Sequence, residues 1–221
     1  MKLVLVRHGQ SIYNLENKFT GWKDVDLTNN GIEEAINAGR ILKNENIPLG
    51  YAYTSTLKRA QKTLFLILKE MNMEIETEYN KALNERDYGD LVGQNKKDAS
   101  EKFGNKQVQI WRRSYDTPPP GGESLEMTCQ RTIPYFKKIL NNLIKGKQNI
   151  IISAHGNSIR AIVMYLFKYT PELILQTEIG WCEPWVFTFN DDLTLKDFRI
   201  LDTNKTTNSN LPVYPKFERN H

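Results

Sequence analysis

The chain is poor in the residues that staple or metallate a fold: its 221 residues include two cysteines and three histidines. Cys129 and Cys182 form no C-x-x-C or other close metal spacing, so neither a disulfide framework nor a structural metal site organises the chain. Both are read as free thiols of a reducing compartment. Long apolar runs are also missing. None approaches the roughly 20 residues of a membrane span, and the run at 2–7 is too short for the core of a signal peptide. A cytoplasmic location is therefore expected, and the acceptor triplet Asn204-Lys205-Thr206 reads as a chance match. There is no Walker A loop, no G-x-G-x-x-G, no G-x-S-x-G turn and no H-E-x-x-H or H-x-x-x-H pair. Nucleotide folds, serine triads and histidine-based metal sites thus lack support. Charge of one sign is not concentrated either. The 30 Lys+Arg and 26 Asp+Glu leave a net charge of +4, too little to argue for nucleic acid.

What is present is an ordinary globular composition, 39% hydrophobic and 25% charged, able to bury a core without a staple. A β-branched run at 2–7 reads as a buried strand. Ile32, Ala35, Ile36, Gly39 and Leu42 recur at helical spacing behind Thr28, a candidate N-cap. Residues 51–54 and 75–79 read as further strands, with a helix between them carrying Leu57, Ala60, Leu64, Ile67, Leu68 and Met71 on one side. Residues 80–123 are polar, with aromatics spread through them and two short helices predicted near 97–103 and 106–114. Loops of such length in compact domains are functional or disordered, and the aromatics argue against disorder. Ser124 caps a helix to about Lys145, in which Pro134 predicts a kink or break. Residues 149–153 read as a central parallel strand, His155-Gly156-Asn157-Ser158 as a turn into a helix at 159–168, and 186–189 with 195–201 as a closing strand pair. This alternation predicts a three-layer α/β sandwich with a mainly parallel sheet, one domain over 1–221 with an active-site loop or lid at about 80–123. A polar, mobile tail is expected from about Thr203.

Two of the three histidines share a setting. His8 follows the strand at 2–7 and His155 the strand near 150–153; each is followed by glycine and a turn toward a helix. Ligands of open α/β sheets bind at the carboxyl ends of strands, so the two turns are expected to face one crevice. Arg7 adjoins His8, while Arg59 and Arg160 fall in first helical turns. A cation there opposes the helix dipole by about 0.3–1 kcal/mol, and several so placed suggest an anion that reverses the sign. Arginine offers a planar fork suited to phosphate. For Arg160 a surface ion pair is the competing reading. Glu85, in the polar loop beside Arg86 and Tyr88, is a candidate proton donor, though position alone does not separate it from a solvated loop carboxylate.

The motifs extend this. Arg7-His8-Gly9-Gln10-Ser11-Ile12-Tyr13-Asn14, Phe19-Thr20-Gly21-Trp22 and Thr54-Ser55-Thr56-Leu57-Lys58-Arg59-Ala60 resemble the cofactor-dependent phosphoglycerate mutases of the histidine phosphatase superfamily, compact bacterial type. So do Leu83-Asn84-Glu85-Arg86-Asp87-Tyr88-Gly89, Trp111-Arg112-Arg113 and Ala154-His155-Gly156-Asn157-Ser158, in order from residue 2 to about 175. The resemblance implies that His8 is the nucleophile that becomes phosphohistidine. It implies that Arg7, Arg59 and His155 hold the transferring oxygens, and that Glu85 gives and takes the proton. Ser11, Asn14, Thr20, Gly21, Arg86, Tyr88, Lys96, Arg112, Arg113, Gly156 and Asn157 are then the ligand shell. It implies interconversion of 2- and 3-phosphoglycerate, 2,3-bisphosphoglycerate as primer, and no metal. The implied partners are small phosphoglycerates, with no nucleic acid and no membrane, and a homodimer is allowed. The runner-up is a phosphatase of small phosphomonoesters, against which Lys96, Arg112 and Arg113 argue; an inert scaffold would have lost His8, Arg59, Glu85 or His155.

Three features depart from the family pattern. The loop at 120–123 is short, Gly180-Trp181-Cys182-Glu183-Pro184 stands where a small Thr-Gly pair is usual, and the tail from Thr203 matches nothing familiar. The bulky segment is expected to reshape the pocket edge. The tail is expected to influence the balance between mutase and phosphatase.

Overall fold

In the computed structural model residues 1–201, 209–215 and 217 are described. Strands β1 (Lys2–Arg7), β2 (Leu49–Thr54), β3 (Glu76–Tyr79), β4 (Asn149–Ala154), β5 (Trp185–Phe189) and β6 (Leu195–Ile200) form one sheet in the order β3-β2-β4-β1-β5-β6. The first four of that order are parallel, and β5 runs against both β1 and β6. The mainly parallel sheet is as expected.

Alternation along β1 divides the core between two faces. Val4 and Val6 share a cluster with Ala35, Ala38 and Leu42 of α2 (Asn29–Asn44) and with Leu64 and Ile67 of α3 (Lys58–Glu70). Leu3 and Leu5 share the opposite cluster with Phe136, Ile139 and Leu143 of α6 (Leu125–Gly146) and with Ile159 and Ile162 of α7 (Gly156–Phe167). Helices on both faces of one sheet make the three-layer sandwich. A short helix α1 (Ile12–Leu15) follows β1. The 80–123 region carries α4 (Lys96–Phe103) and α5 (Asn105–Arg113), close to the expected positions, and packs a small core of its own from Phe19, Leu91, Ala99 and Val108. A short α8 (Pro171–Gln176) precedes β5.

The local signals explain most boundaries. Thr28 caps α2 through the Gly31 N–H, and Ser124 Oγ accepts from Met127 N at the start of α6. Two expectations need correction. Pro134 does not interrupt α6, which runs unbroken for 22 residues. Its missing N–H leaves the Gln130 carbonyl without a helical donor, and Gln130 lies on the exposed face. Helix α7 begins at Gly156, not 159: His155 is its extended N-cap, and residues 156–158 already form the first turn. Most of the tail lies outside the described residues. In its described part Ser209 and Asn210 are docked, Ser209 Oγ accepting from Gly180 N and Trp185 Nε1, and Asn210 bridging Glu178.

The turn after β1 lies directly on the start of α2. A Cβ on Gly31 would stand 2.2 Å from the Gln10 carbonyl oxygen, and one on Gly9 2.3 Å from the Gly31 carbonyl oxygen. Backbone meets backbone at both points, so no side chain can yield. Gly31→Ala is expected to cost about 1–3 kcal/mol in urea unfolding, whereas Gly146→Ala, whose Cβ would meet nothing closer than 3.9 Å, is expected to be neutral or slightly stabilising.

Candidate active site

β1 and β4 are adjacent and parallel, with Arg7 opposite Ala154, so the next residue of each strand emerges side by side. His8 and His155 therefore meet as neighbours, ring centroids 4.9 Å apart at 61°, and not as partners across a crevice as expected. Both rings are buried. His8 Nδ1 lies 2.7 Å from the Gly9 carbonyl oxygen. An oxygen there can only accept, so Nδ1 carries the proton and the Nε2 lone pair is free. His155 Nε2 lies 2.7 Å from Ser55 Oγ, which already accepts from Leu57 N. We assign the Ser55 hydroxyl as donor to Nε2, which puts the His155 proton on Nδ1, an atom buried with no hydrogen-bond partner. One ring thus presents a nucleophile and the other a donor.

The surrounding cations keep both rings neutral. Burial first, then the charges of Arg59 and Arg7, push the His8 imidazole well below its ordinary value. Burial, Arg59, His8 and Arg7 do the same to His155. Arg59 is tied to backbone carbonyls, not to a carboxylate, donating to Gly21 O and Lys23 O at 2.9 Å. Burial brings its guanidinium down to about 10, so it stays charged at neutral pH. Arg7 donates to Ile179 O at 2.8 Å and its guanidinium lies 5.5 Å from the Trp181 ring centre. The Nε atoms of Arg7, Arg59 and Arg86 are buried without hydrogen-bond partners. Buried donors of this kind are costly to leave unmet, and those of Arg7 and Arg59, together with His155 Nδ1, suit the oxygens of a phosphoryl group.

Glu85 sits at the N-terminus of α7, where Oε1 accepts from Asn157 N at 3.1 Å, Asn157 Nδ2 at 2.9 Å and Arg86 N at 2.8 Å. Its loop is latched from behind. Arg131 of α6 pairs with Glu123 through two 2.8 Å contacts and donates to the carbonyls of Ala82, Asn84 and Glu85. Glu123 returns a bond to Asp87 N, and Trp22 Nε1 donates to Glu85 O. Nothing in residue type or spacing marked Arg131, Glu123 or Ser55 for these positioning roles.

In front of this buried layer lies a polar cavity of about 160 Å³. Arg7 reaches it from the end of β1, Gly156 and Asn157 from the first turn of α7, and Glu85 from the loop after β3. Asn14 reaches it from α1, Thr20 and Gly21 from the segment after it, and Tyr88, Lys96, Arg112 and Arg113 from the 80–123 region. His8, Arg59 and His155 are buried behind that lining. Two expected shell residues do not line it. Ser11 is fully buried and spends its side chain on a capping box with Asn14, and Arg86 lies behind Tyr88, donating to its hydroxyl and to Arg112 O. Three residues of the wall were not anticipated as ligand contacts, Lys18, Phe19 and Glu178, and Arg160, left open between an anion contact and an ion pair, lines it as well. The lining holds six basic side chains and two acidic ones. Burial and Arg112 push the Lys96 ammonium down. Burial raises the Tyr88 phenol, but the Arg86 charge and hydrogen bond leave it below its ordinary value. Among the described residues no group of three or more His, Cys, Asp or Glu side chains is placed to hold a metal ion, and no helix is long and apolar enough to cross a membrane.

A sheet with this strand arrangement and a histidine pair among buried arginines at its carboxyl end define a phosphoryl-transfer fold. The model of the histidine phosphatase superfamily (branch 1) matches residues 3–198, and the chain belongs to that superfamily. Among its relatives is the 2,3-bisphosphoglycerate-dependent phosphoglycerate mutase of Bradyrhizobium diazoefficiens, 55% identical over 195 residues, 87% of this chain and 94% of the relative. The enzyme of the same name from Xanthobacter autotrophicus is 54% identical over 201 residues, covering 90% and 97%. Solved structures that share the fold include a mycobacterial glucosyl-3-phosphoglycerate phosphatase at TM-score 0.76 and 22% identity, covering 90% of this chain and 96% of that one. The alpha-ribazole phosphatase of Shigella flexneri matches at TM-score 0.73 and 24% identity, covering 91% and 96%.

Neutral burial of both rings has a consequence for stability. In the unfolded chain each imidazole protonates near 6.5. Below that pH the unfolded state binds more protons than the folded state, so stability present above about 6.5 is lost as the pH falls toward the depressed folded values. Urea unfolding at pH 5.5 is thus expected to give a lower stability than at pH 7.5. The double variant His8→Gln/His155→Gln is expected to flatten this dependence, and an unchanged slope in that variant would contradict neutral burial.

Proposed function

We propose that the chain interconverts 3-phosphoglycerate and 2-phosphoglycerate through a phosphoryl group carried on His8, primed by 2,3-bisphosphoglycerate. Relatives 53–55% identical over most of the chain carry that activity in their names. The observation that carries the reading further is the two-ended charge of the site. The buried His8, Arg59 and His155, with the half-buried Arg7 beside them, suit one phosphoryl group. The outer wall of Lys96, Arg112 and Arg113 suits the carboxylate or second phosphate that a mutase holds and a simple phosphatase need not.

In this reading His8 Nε2 gives its phosphoryl group to the 2-hydroxyl of 3-phosphoglycerate. The N–P bond breaks, an O–P bond forms, and Glu85 takes the hydroxyl proton. The bisphosphate so formed turns within the site. His8 Nε2 then takes the phosphoryl group from the 3-position, and Glu85 returns the proton to the departing oxygen. The charge spread over the transferring oxygens is met by Arg7, Arg59 and His155 Nδ1–H. Asn157 and the first amides of α7 hold Glu85 in register for both transfers. Ser11, through its capping box, and Arg86, through Tyr88 and Arg112, act by positioning. Arginines supply the charge that a metal would otherwise supply and the neutral His155 imidazole adds a hydrogen bond, so we read the reaction as metal-independent. We read the chain as one domain with 80–123 as the covering region, working in the cytoplasm on small phosphoglycerates, with no nucleic acid or membrane partner; a homodimer is compatible with it.

The test is a coupled assay for 2-phosphoglycerate formed from 3-phosphoglycerate, with and without 2,3-bisphosphoglycerate and without divalent metal. Bisphosphate-stimulated turnover that His8→Ala abolishes is the expected result. Release of phosphate without isomerisation would replace the mutase by a phosphatase of the same superfamily.

A further inference from the structure

Glu178 follows α8 and projects its carboxylate into the cavity wall. Oε1 lies 2.7 Å from Nη1 of Arg113 and Oε2 lies 3.0 Å from Nη2 of Arg160. It therefore joins the 80–123 region, which carries Arg113 on α5, to α7, which carries Arg160. The two cavity carboxylates differ in how they are held. Glu85 is 9% exposed and accepts three hydrogen bonds on one oxygen. The Glu178 side chain is 45% exposed.

Arg160 keeps its place without the Glu178 carboxylate, whereas Arg113 is bonded to that carboxylate alone. Arg160 Nε donates to Thr177 O at 2.9 Å, so that guanidinium is aimed by the backbone. The main chain of residue 178 is pinned by two bonds with Asn210, Glu178 N to Asn210 O at 2.9 Å and Asn210 N to Glu178 O at 3.0 Å. Only the side chain is then free to exchange. Burial would raise the Glu178 carboxyl, but Arg160, Arg113 and Arg7 outweigh it and keep it charged at neutral pH.

We propose that Glu178 is an exchangeable internal counter-ion, whose carboxylate bridges Arg113 and Arg160 at the place for which an anionic group of the ligand competes. The inference rests on the phosphoglycerate reading above and adds a residue that sets affinity. A phosphoglycerate reaching Arg113 and Arg160 meets a like charge already bonded to both. It binds fully only after Glu178 has rotated toward solvent, and the fraction of molecules with Glu178 rotated away scales the apparent affinity. Holding Arg113 and Arg160 together beforehand is the opposite role for the same ion pairs, and the two roles differ in sign.

The experiment titrates the full chain with 3-phosphoglycerate by calorimetry, comparing the unsubstituted protein with Glu178→Gln and, as a control for net charge, with Glu33→Gln on the exposed side of α2. Glutamine keeps the size of the side chain and removes the charge. Glu178→Gln is expected to tighten binding by roughly three- to tenfold, with KM falling by a similar factor and no rise in kcat, while Glu33→Gln stays within twofold of the parent. Unchanged or weakened binding in Glu178→Gln, or equal tightening in Glu33→Gln, overturns the proposal. Failure of the unsubstituted chain to bind 3-phosphoglycerate would remove the phosphoglycerate reading and this inference with it. Failure confined to the variants, in a chain that does isomerise, removes the counter-ion alone.

Discussion

Two guanidinium groups, that of Arg59 buried and that of Arg7 half-buried, lie at the carboxyl end of the sheet with backbone carbonyls as their hydrogen-bond acceptors. The rest of the site depends on that choice. A carboxylate partner would have neutralised each arginine and consumed its donors. Carbonyls hold the planar forks in place and leave the charge unspent. The resulting positive field, added to burial, holds His8 and His155 as free bases, one with a lone pair to offer and the other with a proton. Unpaired buried charge is expensive, and the two packed cores flanking the sheet provide the stability against which the site is maintained.

Geometry follows from strand order. Because β1 and β4 are neighbours with Arg7 opposite Ala154, the two histidines need no long excursion to meet. The Gly9–Gly31 contact lets the turn after β1 lie flat on α2, and the Gly9 N–H bond to Thr63 Oγ1 ties that turn to the helix that carries Arg59. Glu85 arrives by a different route, on a loop with no regular structure, and its accuracy comes from Arg131 and Glu123 below it. The unusual segment 180–184 belongs to this arrangement. Trp181 lies against Arg7, Cys182 N donates to Arg7 O, and Glu183 accepts from Ser209 N, so the segment joins the described part of the tail to the edge of the site.

Much of this was legible in the residues because local signals were strong. β-branched runs marked the strands, Thr28 and Ser124 marked helix starts, and two His-Gly turns after buried strands pointed to one site. The motifs at 7–14, 54–60 and 83–89 carried the resemblance that assigned roles. What stayed hidden depends on distance in sequence. The Ser55–His155 contact joins residues 100 apart and Arg113–Glu178 residues 65 apart, with no periodicity to announce either. Arg160 was visible as a cation in a first turn, but its partner was not, and so an ion pair and an anion site remained equal readings; the structure places it in an ion pair inside the cavity wall. Pro134 does not break α6 because a single missing amide on an exposed helix face counts for less than the packed residues on either side of it.

The central claim is that His8 carries phosphate on Nε2, because Nδ1 is committed to the Gly9 carbonyl. The direct measurement is to load the protein with radiolabelled 2,3-bisphosphoglycerate, hydrolyse it in alkali and separate the phosphohistidine isomers, with His8→Ala in parallel. The account expects acid-labile Nε2-phosphohistidine in the unsubstituted chain and none in the variant. Label on Nδ1, or equal label without His8, would contradict it.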